Sequence, residues 1–406
     1  MGKFIIIVLD GFGIGYMNDV DQVRPEDKGS NTFKSIAQAF PNLKLPMLEQ
    51  LGLMNVAGFN LDNMSKNANA TVGRSELMHF GADTFWGHQE IMGSLPLKPK
   101  EEPLAPHFEK VYNSLMEHGY KVEQYTGKLG GRLIIVNDAV TVADNIECDP
   151  GLAINITSAL DYIGFSEVVK IGKLVRGQVT ASRVIAFGGR GVDINNILSA
   201  IEEKDNGYIG VNAPASGVYV NDYHCVHMGY GVDPKKQLPQ ILWSEKNIHT
   251  FLLGKVADIV ENPIAGNNIS IVPTDEVMQR TLELITANDD CFVCANIQET
   301  DLCGHRENVG NYLDILKKAD SGINKIIQRL NDDDILLVMA DHGNDPNIGH
   351  PHHTRETVPL LLYGKRLKSV DIGLRKSLSD VAATASEFFG VSKPENGESF
   401  LKLILL

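Results

Sequence analysis

The sequence has few cysteines, fewer basic than acidic side chains, and no long hydrophobic run. Its five cysteines are an odd number spread over 406 residues, which argues against a disulfide framework and predicts a reducing, cytoplasmic compartment. Lysine and arginine number 37 against 51 aspartates and glutamates, a formal charge of -14 without a basic cluster, so no nucleic-acid partner is expected. The first apolar run, Phe4–Leu9, is six residues long. It is too short for a signal peptide or a membrane span, and later runs are no better suited.

The remaining composition is that of a soluble protein with a large core, 43% hydrophobic and 22% charged. The length suits more than one domain and fewer than three. Near both ends of the chain, apolar runs of strand length alternate with segments of helical period. Strands that are apolar on both faces, with helices between them, predict an α/β core with a mostly parallel sheet covered on both sides. The strand candidates are Phe4–Leu9, Cys291–Ile297, Ile335–Ala340 and Val358–Tyr363, and Asp380–Phe389 is predicted as a helix.

The middle of the chain has a different pattern. After a proline-rich linker at 95–103, the strand candidates become shorter and turns more frequent. They are Leu133–Val136, Val184–Phe187 and Val218–Val220. The strand-and-helix pattern resumes at Thr250–Leu253. We therefore expect a smaller α+β domain at 97–235, inserted into a discontinuous core formed by 1–96 and 236–406.

Aspartates and histidines follow several of the predicted core strands or their turns. They are Asp10, the pair Asp301 and His305, the pair Asp341 and His342, and His353. The carboxyl ends of parallel strands meet at one edge of a sheet, where ligands bind, and an i, i+4 pair shares one face of a helix. Carboxylates with imidazoles suit Mn²⁺, Mg²⁺ or Zn²⁺, and the lack of cysteine ligands argues against a structural zinc site. The pattern predicts a divalent metal centre.

A nucleophile is available in the segment 83–93. A pair of divalent ions stabilises both the attacking and the leaving oxygen in phosphoryl transfer, and a metal-bound threonine hydroxyl, such as that of Thr84, can lose its proton near neutral pH. From spacing alone, a turn or cap residue is the commoner explanation for Thr84. Two other enzyme classes are disfavoured. Gly11, Gly13 and Gly15 are followed by Tyr16 where a dinucleotide site needs its last glycine, and no GxSxG motif of serine hydrolases is present.

Together these segments resemble the phosphopentomutase family of the alkaline-phosphatase-like superfamily, to which cofactor-independent phosphoglycerate mutase is related. The resemblance rests on Leu9–Gly11, on 83–93 with Gly-His-Gln-Glu-Ile-Met-Gly, on Asp341–Pro346, and on His353–Glu356 followed by Val-Pro-Leu-Leu. It implies an alkaline-phosphatase-like core, with the inserted domain as a cap that closes over a sugar phosphate. It also implies two divalent metal ions, usually manganese.

The resemblance also implies roles for individual residues. Thr84 would be the phosphorylated nucleophile. One metal would be shared by Thr84, Asp10, Asp341 and His342, and the other held by Asp301, His305 and His353. Asp149, Arg183 and Lys255 match substrate-binding positions.

Three functions stay open at this point. The first is a phosphomutase that moves phosphate between C1 and C5 of a pentose phosphate, with or without a sugar bisphosphate primer. The second is a metal-dependent phosphatase or phosphodiesterase that uses the same centre, and the third is a metal-binding protein without turnover. The presence of Asp149, Arg183 and Lys255 together with a large inserted domain favours the first. Glu147 replaces a small polar residue of the family, and 187–191 is shorter than the family's arginine-bearing loop.

Overall fold

A computed structural model of the chain describes residues 2–147, 151–204 and 207–406. The strands are β1 (Phe4–Leu9), β2 (Thr71–Ser75), β3 (Val122–Thr126), β4 (Arg132–Val136), β5 (Val140–Asp144), β6 (Ala153–Ala159), β7 (Arg183–Gly189), β8 (Ile201–Glu203), β9 (Ile209–Val211), β10 (His224–Gly229), β11 (His249–Leu253), β12 (Asn268–Ile269), β13 (Cys291–Ile297), β14 (Ile335–Met339), β15 (Val358–Tyr363) and β16 (Val370–Arg375).

The helices are α1 (Val20–Val23), α2 (Thr32–Ala39), α3 (Pro46–Gln50), α4 (Leu53–Val56), α5 (Thr84–Ile91), α6 (Phe108–Glu117), α7 (Phe165–Arg176), α8 (Ile194–Ser199), α9 (Ala213–Ser216), α10 (Leu238–Lys246), α11 (Lys255–Ile259), α12 (Thr274–Ala287), α13 (Gln298–His305), α14 (Val309–Ile327), α15 (Ser379–Phe389) and α16 (Leu401–Ile404). Among the described helices, none combines the length and the apolar character needed to cross a membrane.

The chain divides into two compact units. Unit 1 is Met1–Pro96 together with Asp233–Leu406, and unit 2 is Leu97–Val232. Each unit has its own hydrophobic core, built on its own sheet.

Unit 1 is built on an eight-stranded sheet in the order β12-β11-β13-β1-β14-β15-β2-β16. Neighbouring strands are parallel except at β15, which runs antiparallel to β14 and β2. The central strands β1, β13 and β14 are buried along their whole length, as expected where both faces of a sheet are covered by helices. The predicted α/β core with a mostly parallel sheet is confirmed.

The register of the central strands decides where the polar residues after them lie. Leu9 at the end of β1 pairs with Ile297 at the end of β13, and Val8 pairs with Met339 at the end of β14. The three parallel strands therefore end at the same level. Asp10, helix α13 and the loop that begins at Ala340 all start from this edge of the sheet.

Unit 2 contains a six-stranded sheet in the order β10-β7-β6-β5-β4-β3, in which β6 and β7 are parallel and the other pairs are antiparallel. Helices α6 and α7 contribute apolar side chains to its main core. The strand predicted at Val218–Val220 is wrong. These residues form a turn, because helix α9 ends at Gly217 in a left-handed conformation with φ 83°, and β10 begins only at His224.

Candidate metal centre

Helix α5 carries the candidate nucleophile, Thr84, as its first residue. The side chain of Asp83 caps the helix by accepting a hydrogen bond from the backbone N–H of Trp86 at 3.1 Å. Every residue of the helix is buried. Gly87, one turn on, brings the helix against the Asp341 backbone so closely that a Cβ at this position would lie 2.8 Å from the Asp341 carbonyl oxygen. The cap and the close packing at Gly87 together hold Thr84 next to Asp341, just after the end of β14.

Around the Thr84 hydroxyl lie Asp10, Asp341 and His342, which we call the first ligand group. Thr84 Oγ1 donates a hydrogen bond to Asp341 Oδ2 at 2.7 Å and lies 3.0 Å from Asp10 Oδ1. His342 Nε2 lies 2.8 Å from the same hydroxyl oxygen. All three members are fully buried, and one ligand atom from each lies within 4.8 Å of the others.

The first ligand group fits a cation on the chemistry of its donors. The His342 Nδ1–H donates to the Gly343 carbonyl at 2.9 Å, so Nε2 is the nitrogen that faces Thr84 and would bind a cation through its lone pair once its proton is lost. Burial lowers the pKa of His342, but the Asp341 carboxylate outweighs burial and raises it to about 10. Burial raises the pKa of Asp341, but the charge of His342 and the hydrogen bonds from His88 and Thr84 outweigh it and hold that pKa well below its usual range. The group is thus built around positive charge, which a divalent ion supplies as well as a proton does.

The second ligand group, Asp301, His305 and His353, also converges, although its members are separated in sequence. Asp301 and His305 share one face of helix α13, as their spacing predicts. Asp301 Oδ1 lies 3.2 Å from His353 Nε2, and Asp301 Oδ2 lies 3.4 Å from His305 Nε2. One ligand atom from each of the three side chains lies within 4.8 Å of the others.

The two imidazoles of this group are held so that their Nε2 atoms meet. His305 Nδ1–H donates to the Pro351 carbonyl at 2.6 Å, and His353 Nδ1–H donates to the Ala82 carbonyl at 3.1 Å. The two Nε2 atoms are then 3.0 Å apart, each with a lone pair. Two such nitrogens beside a carboxylate repel one another unless a cation binds between them, so these residues also fit a metal ion.

Lys255, at the start of helix α11, reaches the same region of unit 1. Its Nζ lies 3.1 Å from Asp301 Oδ2, 3.3 Å from Thr84 Oγ1 and 3.7 Å from Asp10 Oδ2. Burial lowers the pKa of Lys255, but these two carboxylates outweigh it and raise the pKa above its ordinary value. The structure therefore places an ammonium group beside the candidate nucleophile. Arg183 lies in unit 2, at the first position of β7, and Asp149 lies outside the described residues.

Three polar side chains at the site were not found by the sequence reasoning. Asn344 Nδ2 donates to Asp301 Oδ1 at 2.8 Å. Asn296 Nδ2 donates to Asp10 Oδ2 at 3.0 Å, and His88 Nδ1 lies 3.3 Å from Asp341 Oδ2. A signal was present for two of them. Asn296 is a polar residue in an apolar strand, and His88 lies one helical turn after Thr84.

The chain is similar to known proteins along nearly its whole length. The model of the metalloenzyme superfamily matches residues 2–393. A phosphopentomutase of Acetivibrio thermocellus is 31% identical over 420 aligned residues that cover 100% of both chains. A phosphopentomutase of Thermotoga maritima is 29% identical, with 99% of each chain covered. Among solved structures, Leishmania mexicana phosphoglycerate mutase is 12% identical, covers 98% of this chain and 97% of its own, and superposes with a TM-score of 0.47.

Proposed function

The chain belongs to the phosphopentomutase family of the metalloenzyme superfamily and is a phosphomutase that binds divalent metal ions; from this premise we propose that it moves a phosphoryl group between C1 and C5 of a pentose phosphate through Thr84. The superfamily match and the mostly parallel sheet of unit 1 also confirm the alkaline-phosphatase-like core. The observation that carries the proposal is the position of the Thr84 hydroxyl, which lies within 3.0 Å of both Asp10 and Asp341.

In the proposed transfer, a bond forms between Thr84 Oγ1 and phosphorus while the bond from phosphorus to the sugar oxygen breaks. The Thr84 hydroxyl, whose proton points to Asp341 Oδ2 at 2.7 Å, loses that proton as it attacks, and the departing sugar oxygen takes up a proton in exchange. The reverse transfer gives the phosphoryl group to the other hydroxyl of the sugar and restores the threonine. Two divalent ions, held by the two ligand groups and in our proposal manganese, would supply Lewis-acid charge to the reacting oxygens.

The cationic side chains take the phosphate-binding roles in this proposal. The Lys255 ammonium, 3.3 Å from Thr84 Oγ1, would offset the charge that a phosphothreonine brings beside three carboxylates. Arg183 would bind a substrate phosphate through its guanidinium fork, which matches two phosphate oxygens at once. Asp149 would bind a sugar hydroxyl.

Turnover by the manganese-loaded protein tests the proposal. Ribose 1-phosphate is supplied with and without a sugar bisphosphate primer, while ribose 5-phosphate and free phosphate are both followed. Conversion to ribose 5-phosphate without phosphate release is expected. Release of phosphate alone would instead identify a hydrolase that uses the same centre, and absence of both products would exclude ribose 1-phosphate as the substrate.

Thr84→Ala should abolish turnover because no hydroxyl remains to accept the phosphoryl group, and a loss of at least about 10⁴-fold is expected for removal of a nucleophile. Thr84→Ser is the matched variant, since it keeps the hydroxyl and loses one methyl group, and it should retain measurable activity. Full turnover by Thr84→Ala would remove this residue from the mechanism. Circular dichroism of both variants establishes that the fold is kept.

A further inference from the structure

We propose that Asn296 and His88 form a bridge that positions the Asp10 and Asp341 carboxylates for binding of the first metal ion, so that both are positioning residues of the centre. The inference rests on the proposed function for its meaning, but its test needs only metal binding. Neither residue belongs to the two ligand groups. Both are fully buried, and both lie between Asp10 and Asp341 in sequence, His88 on helix α5 and Asn296 on strand β13.

The Asn296 amide contacts both a candidate ligand, Asp10, and the other member of the bridge, His88. Its Nδ2 lies 3.0 Å from Asp10 Oδ2 and 3.0 Å from His88 Nε2. An amide nitrogen has two hydrogens, so one can be donated to the carboxylate and the other to the imidazole nitrogen. This arrangement settles the orientation of the amide, because the flipped form would place its carbonyl oxygen against the Asp10 carboxylate.

His88 extends the link to the nucleophile helix and to the second carboxylate. Since Nε2 accepts from Asn296, the ring proton is on Nδ1. Nδ1–H donates to the Thr84 carbonyl at 2.8 Å, and the same nitrogen lies 3.3 Å from Asp341 Oδ2. One chain of contacts therefore joins Asp10 to Asp341 behind the Thr84 hydroxyl. Such outer contacts hold metal-binding carboxylates in one orientation and typically change metal affinity 10–100-fold when removed.

The position of Asn296 in the sheet indicates a role other than ordinary packing. Asn296 is a polar side chain in the apolar run of β13, where it pairs with Val8 of β1. Its Oδ1 is buried and has no hydrogen-bond partner within the described ranges. A buried amide with an unsatisfied oxygen lowers stability relative to an apolar side chain of equal size. Packing alone therefore does not explain asparagine at this position, whereas the two hydrogen bonds from its Nδ2 to Asp10 and His88 do.

Asn296→Leu tests the bridge because it removes both hydrogen bonds of the amide nitrogen while keeping a side chain of similar size. Mn²⁺ alone, without sugar, is titrated into metal-free protein and followed by electron paramagnetic resonance and calorimetry. We expect one of the two Mn²⁺ ions to bind at least about tenfold more weakly and the other to bind as in the wild type. Unchanged affinity at both sites would overturn the proposal, as would equal weakening of both.

Two further variants make the test independent of this substitution. His88→Asn retains a donor toward the Thr84 carbonyl, whereas His88→Leu retains none, so Mn²⁺ affinity should fall in the order wild type, His88→Asn, His88→Leu. The effects of Asn296→Leu and His88→Leu should be less than additive in the double variant, because either change breaks the same chain of contacts; full additivity would contradict the bridge. Asn268→Leu is the control, since Asn268 also has a buried oxygen without a partner in the described chain but lies on β12, and it should leave both sites unchanged.

The outcome is separable from that of the proposed function. If the protein fails to convert ribose 1-phosphate while Asn296→Leu still weakens one Mn²⁺ site, the bridge stands and the substrate is wrong. If turnover is as proposed and Mn²⁺ affinity is unaffected by Asn296→Leu, the bridge fails alone.

Discussion

A residue without a side chain, Gly87, lets the nucleophile helix pack against the backbone of a candidate ligand. A Cβ on Gly87 would lie 2.8 Å from the Asp341 carbonyl oxygen and 2.9 Å from the Asp341 Cβ. These are backbone and inner side-chain atoms, which cannot move aside without displacing the Asp341 carboxylate. Gly87 has an ordinary helical conformation, so the space it leaves, rather than its flexibility, accounts for glycine here.

Gly87→Ala should therefore destabilise the protein by about 1–3 kcal/mol through overpacking, although alanine is favoured over glycine in a helix by about 1 kcal/mol. Mn²⁺ binding should weaken as well, because Asp341 is displaced. Urea unfolding and Mn²⁺ titration measure the two effects. Gly310→Ala is the control. Gly310 is at an exposed position of helix α14, and a Cβ there would meet nothing closer than 3.6 Å. It should be neutral or stabilising, and the same result for Gly87→Ala would refute the packing argument.

Single residues differed in how far the sequence could predict their positions. Asp10 and the pair Asp341 and His342 each follow an apolar strand, so their convergence at one sheet edge could be predicted from the strand pattern. His88 and Asn296 could not be placed in the same way. A single polar residue in a buried helix or strand has several common explanations, and only its neighbours in space, which here are distant in sequence, distinguish among them.

At the scale of elements, one buried carboxylate joins the loops that carry the ligands. Glu356 accepts hydrogen bonds from the Gly15 and Thr32 backbone N–H groups at 3.1 and 3.0 Å, and from the Thr32 and Thr354 hydroxyls at 2.8 and 2.7 Å. Gly15 belongs to the turn after β1, and Thr354 follows His353 in the loop after β14. Glu356 thereby fixes the spacing between loops that carry members of both ligand groups.

Glu356→Gln should destabilise the protein by about 1–3 kcal/mol, because the amide NH₂ would face hydrogen-bond donors that then lack an acceptor. The difference in unfolding free energy between the wild type and Glu356→Gln should depend on pH. Burial raises the pKa of Glu356 to about 7, despite the Thr354 hydrogen bond. A carboxyl whose pKa is higher in the folded state loses stabilisation as the pH rises from its unfolded value, about 4.5, to about 7. Glutamine has no such dependence.

The difference between wild type and Glu356→Gln should therefore narrow over this interval of pH. Urea unfolding at several pH values measures it, with Glu398→Gln as a control at an exposed side chain. A difference that widens with pH would show that the carboxylate is favoured in its ionised form and would contradict the sign of the shift.

Elements were predictable where burial makes a strand apolar on both faces. Strands β1, β13 and β15 lie where the apolar runs predicted them. The antiparallel direction of β15 could not be predicted, since side-chain alternation carries no information about strand direction. Strand β2, Thr-Val-Gly-Arg-Ser, has a single strongly apolar residue and gives no run to detect. The strand prediction at Val218–Val220 failed for the opposite reason. These residues are typical of a strand, but they directly follow Gly217, where helix α9 ends.

At the scale of the whole molecule, unit 1 contains both ligand groups, Thr84 and Lys255, whereas Arg183 belongs to unit 2. The chain leaves unit 1 and returns to it at nearly the same place. The Leu238 backbone N–H donates to the Met92 carbonyl at 3.0 Å, and the Gln237 side chain donates to the Ser94 hydroxyl at 2.9 Å. A short linker can therefore join the two segments of unit 1.

Replacement of 97–232 by a short glycine-serine linker should leave a folded core, because unit 1 has its own sheet and its own hydrophobic core. This core should bind two Mn²⁺ ions per chain, since all the candidate ligands remain. It should lack mutase turnover, because the proposed phosphate fork, Arg183, is removed with unit 2. Mn²⁺ titration, circular dichroism and the ribose 1-phosphate assay measure these three properties.

Asp301→Asn in the same shortened chain is the control and should reduce the stoichiometry from two ions to one. A well-folded core that binds no Mn²⁺ would mean that unit 2 contributes to the metal centre, and retained mutase turnover would mean that the sugar phosphate is bound by unit 1 alone.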